Sequence, residues 1–573
     1  MNNFNIYSRR TFLSRSAKVG MAAALSSLVD VPFVMKRALA EGSIGLNGKK
    51  VLFIWLRFGN DGLNNIIPIG DPQYATNRPT IGLTKEAGFD YTAAGQCFDP
   101  TIYSNGSLAL RSTNDSVFSY SNAISTGNGF AALHPALKFL APVYNAGDLA
   151  LIHRVAYPKQ SRSHFDSQNY WENGNPNKNL SKDGIFYRTI IESGLANTAP
   201  LTGVTVQSAL PLIMRGSAAA MTNLTNPTRY DLLGIPNLTG DNKAFDAIAG
   251  ANYHPFAKKL SRDMLDMQYE NMTNTLRIFG NLDFNETGNI FRDDIKTDGD
   301  TAWYPGASND ADGYYLFPTT DAKNGGGARP AGGGTNTAKR VVPTSAYNSG
   351  GTGFMNNLKA AAMILNKTDA IIAGTELGGF DTHGTQGLAN GTGTHANLLQ
   401  QVGWAMYALR KYFMRYSDKA TWDNTIVVTF SEFGRTSMEN TDKGTDHAEA
   451  GVMYVAGGAV KGYGSSNVNG VFGCSQTDNI PWITGPKTSS LATCGTMFSA
   501  GFPNNTSPVA AGYLRRSNDY RSVLGEVIRK HLGATQNQLN RIIPGYGVAG
   551  EGLLAGGTSS IDGVQIRGEL GLL

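Results

Sequence analysis

Thr425-Ile-Val-Val-Thr-Phe430, Ser431-Glu432-Phe433-Gly434-Arg435, Gly444-Thr445-Asp446-His447 and Val452-Met-Tyr-Val-Ala456, closed by Gly457-Gly458, form the stretch that decides the fold. Two short β-branched runs bounded by glycine and polar residues read as buried strands. Acid and base side chains fall just past the end of the first and just before the start of the second. An open α/β sheet keeps its chemistry at such strand ends.

Working outward, Val51-Leu-Phe-Ile-Trp-Leu56 is a continuous apolar run, as expected of a strand buried on both faces. It ends at Arg57-Phe58-Gly59-Asn60-Asp61-Gly62, which puts Asp61 on a glycine-flanked turn; Asp-Gly is also an ordinary turn dipeptide. A short helix near His134–Tyr144 precedes a strand over Leu149–Val155, an order that favours parallel pairing. Beyond that strand, Ser161-Arg162-Ser163-His164-Phe165-Asp166 opens a further helix. Ser163 reads as its N-cap, with Asp166 three residues on. A hydroxyl at that helix start also suits a nucleophile, because the positive helix end favours a developing alkoxide and Arg162 adds charge.

An amphipathic helix over Phe354–Leu365 leads to a strand over Ala370–Gly374, then to Phe380-Asp381-Thr382-His383. Residues two apart on an extended segment share a side, so Asp381 and His383 reach towards one metal or one substrate group. A long helix from His395 to Tyr412 returns the chain to Thr425. Carboxylates gathered at one sheet edge repel one another unless a cation holds them. With His383 and His447 beside Asp61, Asp381, Glu432 and Asp446, the expected ion is divalent zinc or manganese rather than calcium. Arg435 is expected to grip a phosphate or sulfate group.

Ser8-Arg9-Arg10-Thr11-Phe12-Leu13 matches a twin-arginine export signal, followed by a mildly apolar stretch and Ala38-Leu39-Ala40 for cleavage. Export through the twin-arginine (Tat) translocase to the periplasm or the exterior is the expectation, with no transmembrane anchor after cleavage. Removing the leader's six bases and one acid leaves 43 of each, so no basic field remains to argue for nucleic acid. Of three cysteines, Cys474 and Cys494 could pair in an oxidising compartment and Cys97 is left over. Glycine supplies 68 of 573 residues, well above the ordinary share of about 7%. Much of it falls in loop insertions near residues 297–340 and 463–516. Residues 184–294 carry helical periodicity, plainest over His254–Tyr269.

Gly59-Asn-Asp-Gly-Leu-Asn64, Arg162-Ser-His-Phe165, Phe380-Asp-Thr-His383, Ser431-Glu-Phe-Gly-Arg435 and Gly444-Thr-Asp-His447, with the export signal, resemble the exported DUF1501 family, placed in the alkaline phosphatase and sulfatase superfamily. The resemblance implies an α/β fold: a three-layer α/β/α sandwich with a mostly parallel central sheet, one domain over residues 41–573 behind a leader of residues 1–40. It implies that Asp61, Asp381, His383, Glu432 and His447 stand where the superfamily has metal ligands, with Asp446 beside them. A serine at 161 or 163 stands at the nucleophile position, and Ser163, His164 and Arg435 are the catalytic candidates. Superfamily phosphatases place histidine directly after the later acid; this chain has Phe433 there. Phe58 likewise replaces a glycine that relatives often show. The function implied is metal-dependent hydrolysis of phosphate or sulfate esters, the alternative being a non-catalytic envelope protein that keeps the fold and binds a partner.

Overall fold

The computed structural model describes residues 44–85, 87–94, 122–179, 181–195, 201–219, 221–227, 278–279, 282, 284, 292–293, 314–317, 351–389, 392–464, 469–476 and 512–573. The export signal, the helix expected over 254–269, Cys97 and Cys494, and most of both expected loop insertions lie outside them.

Nine strands form one mixed sheet. In chain order they are β1 (Lys50–Leu56), β2 (Leu149–Ala156), β3 (Gly203–Val206), β4 (Thr222–Leu224), β5 (Ile372–Leu377), β6 (Thr425–Phe430), β7 (Gly451–Ala456), β8 (Val471–Phe472) and β9 (Asn518–Asp519). Across the sheet the order is β8-β2-β7-β6-β1-β5-β3-β4, with β9 also paired to β2. Every pairing is parallel except the two made by β7, which runs against β6 and β2. The parallel relation expected between β1 and β2 holds in direction, but β6 and β7 lie between them.

The helices are α1 (Pro72–Asn77), α2 (Leu140–Asn145), α3 (His164–Asn173), α4 (Ile185–Glu192), α5 (Gly351–Lys367), α6 (Thr394–Arg415), α7 (Tyr520–Glu526) and α8 (Gln536–Ile542). Strand β1 shows why both faces of the sheet are dry. Its side chains alternate, so Leu52, Ile54 and Leu56 join one buried cluster with Val143 of α2, Leu358 of α5 and Val402 of α6. Val51, Phe53 and Trp55 join a second with Trp171 of α3, Phe186 of α4, Val523 of α7 and Leu539 of α8. Burying each such side chain stabilises the fold by about 1.5–3 kcal/mol.

Local signals fix the helix ends. Asp71 caps α1 with Pro72 at its first position, Ser163 caps α3 through the Asp166 N–H, and Thr535 with Gln538 forms a capping box on α8. Helix α7 runs directly into a π-helix from Val527 to His531. No helix among the described residues is long and apolar enough to cross a membrane.

The architecture puts one set of loops together. β1, β2, β5 and β6 all end at the same edge, and because β7 is reversed, it begins there. Asp61, Ser163 to His164, Asp381 to His383, Glu432 to Arg435 and Asp446 to His447 therefore share one rim. Gly374 of β5 sits opposite Phe53 of β1, and a Cβ there would lie 2.1 Å from that ring. Replacing Gly374 by valine should therefore cost about 1–3 kcal/mol through forced repacking, read as a lower urea midpoint with an unchanged slope.

Candidate metal centre

The rim is tied together by Arg435, a fully buried guanidinium. Its Nε donates to the Gly59 carbonyl at 2.6 Å, Nη1 to the Thr445 carbonyl at 3.1 Å, and Nη2 to the Phe58 and Phe380 carbonyls at 2.6 and 3.1 Å. Nη2 also donates to Asp381 Oδ1 at 2.6 Å. The loops after β1 and β5 and the loop before β7 are thus held by one side chain. Arg435, expected to grip a substrate anion, thus donates from Nε, Nη1 and Nη2 to groups within the protein. The loop is closed by an antiparallel bridge between Arg435 and His447. Gly434 allows the stems to meet, since a Cβ there would lie 2.0 Å from the Ala450 carbonyl oxygen.

Around Asp381 Oδ1 stand three imidazoles: His383 Nε2 at 3.1 Å, His447 Nε2 at 3.2 Å and His164 Nε2 at 3.5 Å. Each ring is aimed by its other nitrogen. His164 Nδ1 lies 2.8 Å from Glu432 Oε1, His383 Nδ1 2.9 Å from Asp446 Oδ1, and His447 Nδ1 2.9 Å from the Arg162 carbonyl. Carboxylates and carbonyls only accept, so Nδ1 donates in every ring, and a ring that is neutral then carries a lone pair on Nε2. His383 Nε2 and His447 Nε2 nevertheless stand 2.9 Å apart, and His164 Nε2 is buried without a hydrogen-bond partner.

These atoms fit a divalent cation. With bonds of roughly 2.0–2.1 Å to histidine nitrogen, a tetrahedral ion sets its donors about 3.3 Å apart. The donors of His164, Asp381 and His447 all lie within 4.8 Å of one another, and His383 reaches two of them. The acceptors behind the rings fix tautomer and angle in the way histidine ligands need.

Burial raises the Asp381 carboxyl, but the hydrogen bond and charge of Arg435, with help from His447 and His383, carry it down to about 2. It is an anion at every ordinary pH. His447 is lowered, first by burial and then by the Arg435 charge, which keeps its ring neutral and able to donate a lone pair. Glu432 is raised by burial and lowered more strongly by His164 and Gln168, ending below its ordinary value.

Three expected ligands take other places. Glu432 lies behind His164, its Oε1 receiving His164 Nδ1, the Phe58 N–H and Gln168 Nε2. Asp446 lies behind His383 and also accepts from Asn440. Asp61 is fully buried and is not brought to the group; Arg78 Nη1 and Nη2 hold its two oxygens at 2.6 and 3.0 Å, and Gln386 Nε2 bonds one of them. Ser163 Oγ accepts the Asp166 N–H as a helix cap, 3.4 Å away. Phe433 is buried with its ring 4.7 Å from the centres of both His164 and His447.

Sequence reasoning missed Arg78 and Gln386, because nothing in a turn-rich stretch marks which residue folds back onto a distant carboxylate. It also set His164 among the catalytic groups rather than the donors. Phe58 adds a strained backbone at φ 81°, held at both ends by Glu432 and Arg435. For a bulky residue this conformation costs on the order of 1–3 kcal/mol.

The chain is a mixed α/β protein that gathers three histidines around Asp381 at the carboxyl edge of its parallel strands. Residues 336–469 match the model of a family described as "Protein of unknown function (DUF1501)", which supports the resemblance drawn from the motifs. The matched segment carries Asp381, His383, Glu432, Arg435, Asp446 and His447. Neither the curated proteins nor the solved structures yield a match to the chain.

The Asp61–Arg78 pair makes a stability prediction. Burial raises the Asp61 carboxyl, but the charge and hydrogen bonds of Arg78 lower it further, so its folded value lies below the ordinary one. A depressed carboxyl contributes stability that is complete above its unfolded value near about pH 4 and is lost as pH falls through the folded one. Arg78→Met should cost about 3–5 kcal/mol at neutral pH by leaving a buried charge uncompensated. Urea midpoints measured from pH 7 down to 3 should fall for the wild type and fall less for Asp61→Asn.

Proposed function

We propose that this chain is an exported, metal-dependent hydrolase of phosphate or sulfate esters with the three-layer architecture of the alkaline phosphatase-like superfamily. Helix residues in the buried clusters on both faces of the sheet support the layered reading. The observation that carries the site is the pair of imidazole Nε2 atoms of His383 and His447, 2.9 Å apart while both Nδ1 atoms are engaged by acceptors. Two lone pairs at that distance repel unless a cation beside them binds both or a proton between them is shared.

In this reading His164, Asp381 and His447 hold the ion, His383 joins them, and Glu432, Asp446 and the Arg162 carbonyl set the rings. The donor set suits zinc or manganese. Such an ion supplies Lewis acidity and a lowered pKa for bound water. The ring of Phe433 against His164 and His447 favours one ion over two. Ser163 accepts from the Asp166 N–H and keeps its own proton to give, at the positive end of α3. Arg162, exposed and stacked on Tyr513 at 4.8 Å, is the cation that meets the ester anion in place of Arg435. Hydrolysis breaks the bond between the alcohol oxygen and phosphorus or sulfur, adds the elements of water and releases alcohol and inorganic anion. The buried Phe433 also favours a second reading, a binding protein of the envelope that keeps the ion without turnover.

The mature chain, purified and analysed for metal, should carry one zinc or manganese, and His447→Ala should lose it. Glu432→Gln should weaken metal binding by about 10–100-fold while the fold persists. Chromogenic phosphate and sulfate esters should be turned over, with Ser163→Ala inactive if that hydroxyl attacks. Activity retained in Ser163→Ala moves the attack to Ser161 or water, metal without turnover selects the binding-protein reading, and no metal at all overturns both.

A further inference from the structure

Beside His164 opens a cleft of about 420 Å³ whose lining includes Phe58, Phe165, Gln168, Asn169, Arg215 and Gly378. Its wall abuts the centre at the His164 ring. Phe58 packs edge-on against His164 with ring centres 5.5 Å apart, Phe165 directly follows His164, and Gln168 shares Glu432 Oε1 with the His164 ring.

Two independent features mark this cleft as a place for a ligand. Among the large apolar side chains exposed in the described residues, the two aromatic ones, Phe58 at 42% and Phe165 at 84%, both line it. Exposed aromatic rings grouped in one concavity mark a binding surface. The second feature is the backbone of Phe58, whose φ of 81° a glycine would adopt without cost. Both of its backbone hydrogen bonds, to Glu432 Oε1 and from Arg435 Nη2, would survive loss of the ring. The ring is therefore retained against backbone preference, at the mouth of a cleft.

The charges of the wall are largely settled. Arg57 is engaged by Glu172 and Glu376, 3.0 and 2.8 Å away. Arg215 is exposed at the cleft, where it offers a cation to a polar substituent. We propose that this cleft is a subsite for a planar aromatic group, the alcohol portion of the ester, gripped between Phe58 and Phe165 while its anion faces the histidines. The ester part of this assignment rests on the hydrolase reading; the aromatic part rests on the cleft alone.

The test uses the mature, metal-loaded chain and probes that do not react: 1-naphthylmethylphosphonate, methylphosphonate and 1-naphthol, titrated by calorimetry. The naphthyl phosphonate should bind at least tenfold tighter than methylphosphonate, and 1-naphthol should bind measurably. Phe58→Gly and Phe165→Ala should each remove most of that preference with metal content unchanged, and Phe58→Gly should raise the thermal midpoint because its backbone strain is relieved. The rise in midpoint shows that lost binding is not lost folding. Phosphonates bound equally well, or a preference that survives both substitutions, overturn the aromatic subsite and leave the hydrolase reading standing. Binding of 1-naphthol without either phosphonate overturns the hydrolase reading and keeps the aromatic cleft; no binding of any probe overturns both.

Discussion

The buried guanidinium of Arg435 is the constraint on which the rim depends. A charge taken out of water is tolerated only where its donors are met, and here four backbone carbonyls and the Asp381 carboxylate meet them. In meeting them, three loops that share no sequence proximity are drawn to a common centre. The same contact keeps Asp381 ionised, so the tie that builds the site also sets its charge. A second buried pair, Asp61 with Arg78, does the equivalent work one layer below.

Much of the frame was legible because it follows from periodicity. The strand over Thr425–Phe430 stands at its expected bounds, and Ser163 caps the helix it was expected to open. The strand expected over Ala370–Gly374 lies instead at Ile372–Leu377, because Glu376 belongs to the sheet, where Arg57 and Gln207 satisfy it. Edge strand β4 and its neighbour β3 went unread, being short and carrying Thr205, Thr222 and Asn223 where a buried run would be apolar. Strand ends announced which residues share a rim, and no more. Whether a carboxylate on that rim faces the centre depends on what stands behind it, and Arg78, Gln386 and Asn440 come from loops with no period to reveal them.

That distinction separates the acids by role. Asp381 faces the imidazoles, Glu432 and Asp446 stand behind them, and Asp61 is neutralised by an arginine. Glu432 and Asp446 orient the His164 and His383 rings, and the Arg162 carbonyl orients His447. Phe433 fills space that a further donor would need, which narrows the centre rather than emptying it.

The reversal of β7 has a consequence for the nascent chain. Because that strand begins at the rim where its neighbours end, its leading loop delivers His447, and the ring it faces, His383, lies 64 positions earlier. On the ribosome, then, His164, Asp381 and His383 emerge before His447, which joins them where β7 lies between β2 and β6. The four-residue cluster is therefore complete only in a chain synthesised past β7, with the reversed strand seated in the sheet.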